Sequence, residues 1–164
     1  MVKKEDLEPL FRYRERVTND PLRLAILAAH ALIEEMIELV IAEAVPNSEC
    51  FEVPKMQFSK KLQIIRTLTA SDDGPSSEGH KLLWKCIEKL TNLRNAAAHR
   101  DYGALREERF TDLAEFFYPD PAFRSARDRQ TLLQEATEIC AGMLFGMQIS
   151  FRDLHPGSSE AKEA

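Results

Sequence analysis

The placement of helix breakers constrains this chain more than any other feature. Its eight prolines and six glycines sit mostly at a few junctions: Asp20-Pro21, Val45-Pro46, Asp73-Gly74-Pro75, Tyr118-Pro119-Asp120-Pro121 and His155-Pro156-Gly157. Proline lacks an amide donor and clashes with the preceding turn, so uninterrupted helices must lie between these points. The intervening stretches carry apolar residues three and four apart, with almost no alternation of the strand type. Helices packed on helices are the consequence, and the predicted fold is an all-α, single-domain bundle of five to six helices.

Asp6 to Val17 reads as a first, surface helix, with Leu7, Leu10 and Phe11 on one side and Pro9 in its first turn. Asp20 is a good N-cap and Pro21 a good first helical residue for a long central helix ending near Ala44. A short loop through Cys50, Phe51, Val53 and Pro54 leads to a helix from about Ser59 to Ala70, with Leu62, Ile65 and Leu68 as its buried stripe. Ser71 to Glu78 reads as a loop, followed by a helix from about Ser77 to Ala98 that buries Leu83, Ile87, Leu90 and Ala97. Tyr102-Gly103 permits that helix to end, and a shorter helix around Leu105 to Phe117 follows. The last helix is expected from about Ser125 to Leu154, its Gly142, Gly146 and Ser150 forming a strip for close packing against Ala25, Ala28 and Ala29. Residues 1–157 form the domain in this reading, and 158–164 a flexible tail.

At 164 residues, with 44% hydrophobic and 30% charged, the chain has the balance of one ordinary globular unit. Arg23, His30, Glu34, Glu35, Glu38 and Glu43 interrupt its longest apolar run, which excludes a transmembrane helix there. Two lysines near the start are followed by no apolar stretch, and the three cysteines have no paired spacing. Reduced thiols in the cytoplasm are therefore expected, with no export. The net charge of −5 argues against non-specific coating of nucleic acid and leaves room for a local basic site.

The segment TNLRNAAAHRD, Thr91 to Asp101, is where chemistry concentrates. On a helical wheel Arg94 lies about 20° from Leu83 and Ile87, so a charge falls on the line of the apolar stripe. Such a charge either pairs with a carboxylate of the central helix (Glu34, Glu35 or Glu38) or lines a cleft and accepts a phosphate. Asn95 and His99 are one turn apart on a common side, about 140° from Arg94 in the case of His99. A joint site therefore requires the helix to end near Ala98 or a second subunit to complete it.

Histidine, with an ordinary pKa near ~6.5, can accept or give a proton near neutral pH. His99 fits that role. Arg94 offers planar, permanently charged donors to the negative charge that builds on phosphorus, and Asn95 can orient either partner. Ala96 to Ala98 leave space for an approaching backbone, while Arg100 and Tyr102 are auxiliary phosphate or substrate contacts at the mouth.

The run Arg94, Asn95, Ala96, Ala97, Ala98, His99 resembles the hallmark of HEPN-like helical domains: an Arg, a polar residue, a few small residues and a His. The order ALIEEMIEL, FSKKLQIIRTL, LTNLRNAAAH and RFTDL, across Leu22 to Phe117, looks like the branch represented by the mannitol operon repressor. The resemblance implies a helical bundle, a homodimer in which the motif helices lie together and, in competent members, metal-independent cleavage of RNA, in which His99 would take the proton of a ribose 2′-hydroxyl to start attack on the adjacent phosphodiester and Arg94 would clamp the phosphate. It equally implies an alternative: a non-catalytic regulatory module that acts through a protein partner in transcription.

Other candidates are weaker. His30 and Glu34 are an i, i+4 pair without the Glu-x-x-His motif of di-iron bundles, so no metal and no cofactor is expected. Arg124, Arg127 and Arg129 are interspersed with Asp128 and read as a mixed-charge face. Trp84, Phe110, Phe116, Phe117 and Tyr118 read as core or interface aromatics, and Cys86 as a small core residue. Sequence signatures of phosphate loops, zinc proteases and α/β-hydrolases do not occur.

Overall fold

A computed structural model describes residues 20–45, 48, 52–70, 76–98, 102–125 and 127–154. Among them are six α-helices and no strand: α1 (Pro21–Ala44), α2 (Phe58–Leu68), α3 (Ser76–Ala98), α4 (Tyr102–Phe117), the short α5 (Pro121–Ser125) and α6 (Arg129–Leu154), with a 3-10 turn at Val53–Lys55. The all-α bundle is as the breakers predicted. The first expected helix, residues 6–17, lies outside the described residues. Among the described residues no helix is long and apolar enough to cross a membrane.

α1 begins where Asp20-Pro21 places it. The Asp20 carboxylate accepts from the Arg23 amide at 2.9 Å, filling one of the donors that a helix start leaves open. The helix is central: it packs most extensively on α6, and also on α3 and α2. Ile26, Ile33, Ile37, Val40 and Ile41 form its buried side. Arg23 reaches Ala97 and the charge of Arg94 acts on His30, so α1 and α3 run in opposite directions. Cys86 bonds to the Ala136 carbonyl, and Gly79 faces Met143, so α3 also opposes α6. α1 and α6 are consequently parallel, and Arg152 meets Glu43 at their shared C-terminal end.

Four boundary and packing expectations change. Tyr102 opens α4 instead of marking a turn. The last helix starts at Arg129, because Asp128 accepts from the Thr131 amide at 2.8 Å and caps it. The buried pair on α2 is Lys61 and Ile65, while Leu68 is exposed. Gly142, Gly146 and Ser150 face outward on α6 instead of packing against α1, and a Cβ at either glycine would meet nothing within 4 Å.

The core expected on α3 is present: Leu83, Ile87, Leu90 and Ala97 are all buried, as are Cys86 and Phe110. Trp84, Phe116, Phe117 and Tyr118 pack partly buried against that core. Cys86 and Cys140, 54 residues apart, are free thiols with sulfurs 2.7 Å apart. The hydrogen bond to Cys86 and burial hold the Cys140 thiol far above its usual range. Arg124, Arg127 and Arg129 each pair with a carboxylate, of Glu115, Glu135 and Glu107 respectively, in keeping with a mixed-charge face.

Candidate functional site

Two cations face α1, and the structure assigns them opposite surroundings. Lys61 of α2 is 1% exposed, and its ammonium donates to Glu34 Oε1 and Glu38 Oε1, both at 2.5 Å. The two carboxylates are one turn apart on α1, so one ammonium reaches both. Burial alone would lower the lysine pKa, but the two carboxylates outweigh it and raise the value.

Arg94 is not buried. It is exposed on the last turns of α3, where its Nη1 donates to the Asn95 side-chain oxygen at 3.2 Å. Of the two fates open to Arg94, the ion pair with Glu34, Glu35 or Glu38 of the central helix does not form. Glu34 and Glu38 bond to Lys61, and Glu35 is exposed on the side of α1 away from α3. The physical cause is a drift of the buried stripe along α3. It passes from Leu83 and Ile87 to Leu93, Ala96 and Ala97, leaving Arg94 at the edge.

Arg94 and Asn95 are thus neighbours on one exposed helix end, and His99 follows one residue beyond the last described position of α3. His99 and Arg100 lie outside the described residues, as does the side chain of Tyr102.

Around this end the structure collects residues that the motif did not point to. Arg23 crosses from α1, and its Nε donates to the Ala97 carbonyl at 2.9 Å, satisfying an acceptor at the end of α3. Arg106 of α4 donates to Asp20 Oδ2 at 2.7 Å. The start of α1, the end of α3 and the start of α4 are thereby fastened at one corner through Asp20, Arg23 and Arg106. Arg23 and His30 are seven residues apart, two helical turns, and that spacing is the signal by which both could have been placed on the face of α1 that meets α3. His30 itself is 8% exposed, with its ring 4.5 Å from that of Phe58. Burial, followed by the charge of Arg94, lowers its pKa against the opposing pull of Glu34. His30 is consequently neutral at pH 7.

No cluster of three His, Cys, Asp or Glu side chains among the described residues has metal-holding geometry, and Glu34 is bonded to Lys61. A separate cavity of about 630 Å³ opens at the other end of the bundle, between the C-termini of α2 and α6 and the start of α3. It is lined by Leu83, Met143, Met147 and Phe151, with His80 as its titratable group. No family model matches the chain, and no curated protein or solved structure is significantly similar to it.

Proposed function

We propose that this chain is an HEPN-like protein that engages RNA at the C-terminal end of α3, with Arg94 and Asn95 gripping a phosphodiester and His99 acting on the ribose. The single observation that carries this reading is the exposure of Arg94 beside Asn95, while Glu34 and Glu38 are occupied by Lys61. An arginine whose charge is left to solvent at a helix end is suited to a planar, multiply bonded anion.

The chemistry is metal-independent cleavage. His99 takes the proton of the 2′-hydroxyl, the 2′-oxygen attacks phosphorus, and the bond to the 5′-oxygen breaks to leave a 2′,3′-cyclic phosphate. Arg94 offsets the charge that builds on the non-bridging oxygens, and Asn95 holds the Arg94 guanidinium in line. Arg100 and Tyr102 stand next in sequence as phosphate contacts. The leaving 5′-oxygen takes its proton from Tyr102 or from His99 of a second copy.

The test is cleavage of a mixed-sequence fluorogenic RNA in excess EDTA by wild type, Arg94→Ala and His99→Ala. Cutting by wild type that falls at least ~100-fold in either variant supports the enzyme. RNA binding that depends on Arg94 without any cutting replaces it with a non-catalytic RNA-binding module. Folded wild type that neither binds nor cuts RNA overturns the reading.

A further inference from the structure

We propose that Cys86 and Cys140 are the two halves of a disulfide that links α3 to α6. Spacing along the chain predicts no cysteine pair, since 54 residues separate the two. The packing of α3 on α6 supplies one: it sets the two sulfurs 2.7 Å apart, with both thiols free. Non-bonded heavy atoms rest roughly 3.5–4.0 Å apart, whereas a sulfur–sulfur bond is about 2.05 Å long. The sulfurs have therefore closed more than half of the distance between contact and bond. Among the described residues little competes for them. Cys140 donates to the Cys86 sulfur, and Cys86 has one other partner, the Ala136 carbonyl at 3.7 Å, which lies one turn before Cys140 on α6.

The surroundings hold the pair in place. Cys86 is 1% exposed and Cys140 0%, and the residues one turn to either side, Leu83 and Leu90 on α3 and Ala136 and Leu144 on α6, are buried with them. Side chains enclosed in this way keep their rotamers, so the sulfurs cannot part unless the helices do. The bond closes a loop that contains all of α4 and α5 and fastens α6 to the helix that carries Arg94. Closing such a loop removes freedom from the unfolded chain and so favours the folded one. Burial also sets when the bond forms. Exchange needs a thiolate within reach of a disulfide, and in the folded protein neither sulfur is within reach, so oxidation belongs to the open chain during folding. The oxidant is a small disulfide of the glutathione type. One cysteine attacks it, forming a mixed disulfide and releasing one glutathione thiol; the other cysteine attacks the protein sulfur of that mixed disulfide and releases the second. The two cysteines together lose two electrons and two protons, and glutathione disulfide gains both. Once the helices have closed, reductants are shut out as the oxidant is. This bond is independent of the RNA reading.

The experiment is refolding of the full chain from urea into mixtures of reduced and oxidised glutathione, with folding followed by circular dichroism and the products acid-quenched for intact mass and peptide mapping. Cys50→Ser is carried in parallel, because it leaves Cys86 and Cys140 as the sole cysteines. The expected product of both proteins is a folded chain lighter by two hydrogens, with the Cys86 peptide joined to the Cys140 peptide. Half-oxidation should need at least ~30-fold less glutathione disulfide in native buffer than in concentrated urea, because the bond and the fold support each other. Folded protein that keeps both thiols in excess glutathione disulfide, a link from either residue to Cys50 in wild type, or half-oxidation that needs as much glutathione disulfide with the fold as without it overturns the inference.

Discussion

Lys61 and Arg94 are both long cations set against the same helix, yet one is sealed by two carboxylates and the other is left open. Lys61 arrives from α2 opposite Glu34 and Glu38, whose spacing of one turn suits a single ammonium. Arg94 arrives at the end of α3, where the buried stripe has turned away from it, and its bond is to a neutral amide. The difference teaches that a charge on an apolar helix line has two fates, decided by which carboxylates another cation has already taken. A sealed charge holds helices together, and an open one is free to act on a ligand.

The comparison can be broken by mutation, and Lys61 carries the largest effect. Lys61→Met leaves two half-buried carboxylates facing each other without a cation, and should lower stability by about 3–5 kcal/mol in urea unfolding. If the loss is under ~1 kcal/mol, the triad is not what joins α2 to α1.

A smaller effect comes from His30, which lies between the two cations. Its folded pKa is below the ordinary 6.5, so as pH falls through that value the unfolded chain gains a proton that the folded chain does not. Stability should therefore fall below pH ~6.5 and keep falling until the folded histidine protonates, with no contribution from His30 above that range. His30→Phe should flatten this part of the stability–pH curve. A curve with the same slope in the variant would place the titration elsewhere.

The smallest change in stability is expected at Arg94. Arg94→Ala should shift the unfolding free energy by less than ~0.5 kcal/mol, since the side chain is exposed and bonded to its neighbour. A loss of several kcal/mol would return Arg94 to a structural ion pair, one of the two fates that the helical wheel allows.

Local chemistry was legible where it acts within one element. Asp20-Pro21 marked the start of α1 and Leu83, Ile87, Leu90 and Ala97 marked the core of α3, because caps and periodicity need no knowledge of neighbours. Arg94 was set on the apolar line because a wheel assumes one buried direction along the whole helix, whereas the buried stripe of α3 drifts from Leu83 and Ile87 to Leu93, Ala96 and Ala97. Lys61 was missed because a lysine between apolar positions reads as surface until its two carboxylates are brought over it from 23 and 27 residues away. Gly142 and Gly146 were assigned to close packing within the chain on side-chain size alone, and size says nothing about which side of α6 is turned inward.

The corner built by Asp20, Arg23 and Arg106 has a mechanical consequence. Asp20 caps α1, holds Arg106 and accepts from the amide of Arg23, the residue that bonds Ala97, so tension applied at Asp20 is borne by the same few bonds that fix the ends of α3 and α4. A load applied at Asp20 pulls directly on the corner that carries Arg94. A load applied at Leu154 pulls on the opposite end of the bundle, where Arg152 meets Glu43.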